Sequence, residues 1–244
     1  ELVRRIGQAT AEEVAATGID WTFAPTLATP QDPRWGRTYE GYSEDPELVR
    51  RYATAMVEGL QGPAELNHKL QAGRIAASAK HFMADGGTRD GVDEGDARLS
   101  ESELIATHAQ WYPAAIDAGV LTVMASYSSW FGEKMHANHA LLTDVLKSRM
   151  GFDGFVVGDW NGHAQIPGCS KDRCAAAINA GIDMVMAPQD WKALFQNMVA
   201  QVGSGEISRA RLDDAVRRIL RVKFKRGAFD PERPYDGRLE LIGS

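Results

Sequence analysis

What most constrains this chain is an alternation. Short apolar runs (Trp21–Pro25, Ile75–Phe82, Val120–Tyr127, Gly154–Trp160 and Asp183–Ala187) take turns with segments of helical periodicity. The runs are rich in Val, Ile, Phe and Met and do not alternate with polar residues, as expected of strands covered on both faces. The helical segments are Pro46–Gln61, Ser100–Ala118, Leu141–Met150, Asp172–Ala180, Trp191–Gly203 and Arg209–Arg226. Several carry start signals. Ser43-Glu44-Asp45-Pro46 places acids and a proline at a first turn, Ser100 with Glu103 forms a capping box, and Ser208 caps the last helix.

Repeated strand–helix units mean a parallel sheet, either a closed (β/α)8 TIM-like barrel or an open doubly wound sheet. No glycine-rich phosphate turn follows any strand, and polar residues gather at the C-terminal end of nearly every one, which favours the α/β barrel. Five strands are clear in the sequence, so the others belong to upstream sequence or leave no signature. Residue 1 is Glu, and Glu1–Thr17 already reads as an amphipathic helix carrying Leu2, Val3, Ile6 and Ala9. The expectation is a barrel lacking its first strand or strands, part of a longer chain.

Composition closes off other classes. Acidic residues outnumber basic ones, 33 to 27, and no basic tract occurs, so no nucleic-acid partner is expected. No apolar run approaches the roughly 20 residues that span a bilayer. Two cysteines cannot make a disulfide scaffold; Cys169 and Cys174, with four residues between them, read as a small disulfide loop or as two free thiols, with the loop favoured and an oxidising compartment implied.

Strand ends in such a barrel point at one mouth. The first run leads into a long loop, Thr26–Asp45, that carries Arg37; the second ends in Lys80-His81, the third in Ser126-Tyr127-Ser128, and the fourth in Gly158-Asp159-Trp160. That loop and Met83–Leu99 are too long for plain connections. Cations, a histidine, a tyrosine, a carboxylate and an indole at one mouth suit a sugar, which has apolar ring faces and a rim of hydroxyls. Asp159 follows a run that should be buried, so it needs partners. It either caps a helix or pairs with Lys80, or it is a nucleophile kept ionised by Lys80 and Arg37. Lys80 reads equally as an ion-pair donor or as a Schiff-base lysine. His68, His108 and His163 are expected at the surface or on helices, and His136 with His139 lacks a third ligand, so no metal is expected.

Trp35-Gly36-Arg37-Thr38-Tyr39-Glu40-Gly41-Tyr42-Ser43-Glu44-Asp45-Pro46, Lys80-His81-Phe82 and Gly151-Phe152-Asp153-Gly154-Phe155-Val156-Val157-Gly158-Asp159-Trp160 together resemble glycoside hydrolase family 3. Met124–Trp130 and Lys134–His139 add to the likeness, which runs from about Glu1 to Asp230. The resemblance implies a retaining exo-β-glucosidase that removes terminal glucose from β-glucans and oligosaccharides, without a cofactor. Asp159 matches the family's nucleophile. Arg37, Lys80 and His81 match positions that hold glucose hydroxyls, Tyr127 one close to the nucleophile, Trp160 one that walls the sugar site, and Glu94 an acidic loop position on the acid side.

The resemblance further implies a catalytic barrel domain over 1–230 and the start of a linker at 231–244. The linker leads to an α/β sandwich domain, absent from this chain, that supplies the general acid; alone, the barrel should be a poor catalyst. The implied location is periplasmic or secreted. The loop after Lys80-His81 has no histidine, which disfavours the family's N-acetylglucosaminidases. A β-xylosidase, a non-catalytic sugar-binding barrel and a Schiff-base lyase stand as rivals.

Overall fold

The computed structural model describes residues 1–64, 69–231 and 237–243. His68 and part of the expected linker, 232–236 and 244, lie outside the described residues. In chain order the elements are α1 (Leu2–Ala16), α2 (Pro46–Gln61), β1 (Ser78–Phe82), β2 (Asp96–Ala97), α3 (Glu101–Leu104), α4 (Trp111–Asp117), β3 (Thr122–Ala125), β4 (Ser129–Trp130), β5 (Glu133–Lys134), β6 (Phe155–Val157), α5 (Ala175–Ala180), α6 (Trp191–Gly203) and α7 (Arg209–Arg226).

At the centre is a parallel sheet in the order β1-β3-β6. Parallel bridges extend it at both sides: Trp21 pairs with Ala76 and Thr26 with Lys80, and Met184 pairs with Val157. The ribbons therefore lie side by side in chain order, all pointing one way. The expected strands Trp21–Pro25 and Asp183–Ala187 are reduced to these bridges, since each is the outermost ribbon and Pro25 has no N–H to give. One face of the sheet is packed by helices through Ala77, Ala79, Val123, Ala125 and Val156. The other carries Ala76, Met124, Phe155 and Val157 against Val222 of α7.

The expected helix starts are in place. Asp45 accepts from Glu47 N–H at 2.9 Å, Ser100 and Glu103 form the reciprocal box, and Ser208 accepts from Arg211 N–H at 3.1 Å. The predicted Ser100–Ala118 helix is instead broken by a π-helical turn at Ile105–Ala109, immediately before α4. Pro113 in α4 supplies no N–H to the Ala109 carbonyl and crowds it, so the chain widens there. Leu141–Met150 winds as a π-helix over Ala140–Arg149. In α1 the buried face is Gly7, Ala11 and Ala15, while Leu2 and Ile6 are exposed. Small residues are required because α1 and α2 cross closely: a Cβ on Gly59 would lie 2.4 Å from the Arg4 carbonyl oxygen.

A buried ion network ties the last ribbon to α7. Asp183, wholly buried, accepts from Lys147 at 2.8 Å, from Arg211, and from Val156 N–H at 2.8 Å. Cys169 and Cys174 form a disulfide just before α5. No helix among the described residues is long and apolar enough to cross a membrane.

Candidate active site

The two long loops are built around one another over the sheet's C-terminal edge. Trp35 is buried and donates to Asp93 at 2.8 Å, and a Cβ on Gly91 would meet Trp35 N at 2.8 Å. On this base a single turn, Thr38–Glu40, presents Arg37 in a two-bond fork to Glu40, at 2.8 and 2.9 Å. The second guanidinium nitrogen also faces His81 Nε2 at 3.3 Å.

His81 is buried, and its Nδ1 lies 2.5 Å from Asp85 Oδ2. A carboxylate accepts and a guanidinium donates, so the ring proton sits on Nδ1 and Nε2 offers a lone pair. That same Nε2 is 3.6 Å from Asp159 Oδ2. Beside it, Lys80 is half-buried. Burial draws its ammonium below the usual range, opposed first by Glu40 and then by Asp159 and Asp85. Among the described residues the ammonium has no hydrogen bond or ion pair, so its donors are available to a ligand.

Asp159 is held on four sides. Oδ1 accepts from Trp160 N–H at 2.7 Å, Oδ2 faces His81, the main-chain N–H donates to His136 Nε2 at 2.9 Å, and the carbonyl accepts from Gly162 N–H at 2.9 Å. The carboxylate retains 14% exposure, enough to meet a ligand. Tyr127 donates to the Trp160 carbonyl at 2.5 Å. Burial, then the carboxylates of Asp159 and Glu94, push its phenol well above the ordinary range. Trp160 itself is 58% exposed, leaving its indole face open. Glu94 is exposed on the Tyr127 side: its carboxylate accepts from Gln165 at 2.7 Å, while Lys134 bridges the Glu94 and Tyr127 carbonyls at 3.2 and 2.8 Å.

The structure thus gathers Arg37, Lys80, His81, Tyr127, Asp159 and Trp160, with Glu94 at the rim. One expected detail differs. Neither Lys80 nor Arg37 forms an ion pair with Asp159, because Glu40 takes the Arg37 fork; the nearest basic side chain is His81. The Asp85 and Glu40 partnerships were not foreseen, although a carboxylate four residues after a buried histidine is a signal that could have suggested the first. His108 and His163 sit in helical turns as expected, but both are buried rather than at the surface. His136 turns into the core while His139 is exposed, and no cluster of three metal-binding side chains occurs among the described residues.

At the ends of the parallel ribbons the structure therefore brings together a fixed carboxylate, a buried histidine, an ammonium with open donors, a forked guanidinium and an open indole. The comparisons identify the family. The description "Glycosyl hydrolase family 3 N terminal domain" matches residues 1–222, and the chain belongs to that family. It superimposes on the crystal structure of an exo-1,3/1,4-β-glucanase from a Pseudoalteromonas species with a TM-score of 0.96 and 50% identity, covering 100% of this chain and 31% of that one. It is 33% identical to a periplasmic β-glucosidase of Salmonella typhimurium, over 94% of this chain and 30% of that protein. Identity to a β-xylosidase of Formosa agariphila is 34%, over 94% and 33% respectively. The chain therefore spans about a third of the length of these relatives.

Proposed function

We propose that this chain is the nucleophile-bearing domain of a retaining exo-β-glucosidase acting on terminal β-glucosyl residues of glucans and oligosaccharides. The observation that carries the reading is Asp159: a carboxylate at a ribbon end, pinned through its main chain, with one oxygen beside His81 and part of its surface open. In the first step an Asp159 oxygen bonds to C1 of the sugar as the C1–O bond to the leaving group breaks, and the departing oxygen takes a proton from a general acid. In the second step water attacks C1, its proton returns to that same group, and the ester bond to Asp159 opens. Retention needs the two carboxyl groups about 5 Å apart. Arg37, Lys80 and His81 hold hydroxyls, Trp160 stacks on the ring, Tyr127 supports the turn beside the nucleophile, and Glu94 orders the acid side.

The acid belongs to a following α/β sandwich domain, in keeping with the greater length of the relatives. Ribbons that lie in chain order support reading 1–230 as an arc of a (β/α)8 barrel, with the linker starting at 231. The periplasmic relative supports a periplasmic or secreted location. The β-xylosidase relative keeps xyloside as the second substrate class. In a polypeptide of the relatives' full length, a 2-deoxy-2-fluoro-β-glucoside with a dinitrophenolate leaving group needs no proton to depart, so it tests the nucleophile alone. Peptide mass spectrometry should find the label on Asp159, and Asp159→Asn should abolish it. Label on another residue, or turnover at the wild-type rate by Asp159→Asn, overturns the assignment.

A further inference from the structure

Two buried imidazoles flank Asp159, and each directs Nε2 towards it: His81 at the carboxylate, His136 at the main-chain N–H. His136 is 1% exposed and sits at the centre of the turn 158–162. Its ring leaves no room for a side chain at residue 162, since a Cβ on Gly162 would lie 2.3 Å from Nε2, while one on Gly158 would be in ordinary contact with the ring at 3.4 Å. On another side the Tyr127 ring lies 6.0 Å off, tilted by 32°. An N–H pointing at Nε2 requires a lone pair there, so the ring proton is on Nδ1. We propose that His136 is a positioning residue for Asp159, its unprotonated Nε2 fixing the main chain from which the nucleophile is aimed.

The inference rests on Asp159 being the nucleophile and adds how its aim is kept. The carboxylate accepts a short hydrogen bond from Trp160 N–H, and that bond weakens when the carboxylate becomes an ester and loses its charge. The bond to His136 does not touch the carboxylate, so it is equally strong before and after glycosyl transfer. Burial pushes the His136 pKa down to about 3, so the acceptor is present at neutral pH.

The test compares wild type, His136→Phe and His136→Gln in a polypeptide of the relatives' full length, using the fluoroglucoside labelling rate and the glucose dissociation constant. Phe fills the ring's space without an acceptor, and Gln can place an oxygen near Nε2. Displacement of a reacting group by about 1 Å can cost about 100-fold. His136→Phe should therefore label about 100-fold more slowly with glucose affinity little changed, and His136→Gln should regain most of the rate. Equal labelling by wild type and His136→Phe overturns the role of His136 alone, as does a parallel loss of glucose binding. Wild-type label at a residue other than Asp159 overturns the nucleophile reading and the role built on it. Nitrogen NMR of wild-type His136 needs no variant to fold: an unprotonated Nε2 is expected, and a protonated one refutes the anchor.

Discussion

Asp183→Asn removes one charge from the most deeply buried ion network and changes almost no volume. In the wild type, Asp183 is wholly buried and receives Lys147 at 2.8 Å and Arg211 together, while its other oxygen takes Val156 N–H. After the change, Lys147, only 5% exposed, has Asp214 at 3.9 Å as its remaining carboxylate, and Arg211 has the same group at 2.7 Å. Removing one partner of a buried pair costs about 3–5 kcal/mol. At about 2–4 °C per kcal/mol for a chain of this size, Tm should fall by about 6–20 °C. Burial lowers the Lys147 pKa from 10.5 to about 8. Between those values the unfolded chain binds a proton that the folded one does not, so stability rises with pH through that window, by at most about 3 kcal/mol. In the variant the carboxylate that supports the charged form is gone, so the window opens at lower pH and part of the loss is recovered as pH climbs. Thermal melts of both proteins near pH 6, 8 and 10 measure this. A fall below about 2 °C near pH 6, or a deficit that grows with pH, would refute the reasoning.

Asp85→Asn replaces the acceptor that fixes the His81 proton; glucose affinity should fall about tenfold by calorimetric titration, and an unchanged affinity removes Asp85 from the site. Gly59→Ala drives a Cβ to within 2.4 Å of the Arg4 carbonyl, so α1 must shift; a loss of about 1–3 kcal/mol in urea melts is expected, and none would mean the helices part freely. Serine at both Cys169 and Cys174 opens a ring of sequence separation 5, which should lower stability by about 2 kcal/mol and leave Asp159 labelling intact. An unchanged melt would mean the link adds nothing.

Local signals survived translation into structure best. Helices α2, α6 and α7 have the limits expected from Pro46–Gln61, Trp191–Gly203 and Arg209–Arg226, because caps and periodicity act within a few residues. The ordering of site residues was legible for a similar reason: once the ribbons are parallel, each ribbon end must face the same edge. The hairpin of β4 and β5 was missed because its strands are two residues long and leave no period to detect. The buried face of α1 was not legible from its large apolar residues, since burial there is decided by how closely α2 approaches Gly7 and Gly59, not by the hydrophobicity of Leu2 and Ile6. His136 meets Asp159 across 23 residues of sequence, and the Arg37–His81 contact spans 44; nothing local encodes either.

The main chain of Asp159 is secured by His136 and Gly162, neither of which touches its carboxylate. Shape and charge are therefore separable at this position. Truncation to glycine would keep the turn in place and remove the carboxylate from between the Trp160 N–H and the His81 ring. On the proposed reading of Asp159, an anion admitted there would restore the missing charge while the turn keeps its shape.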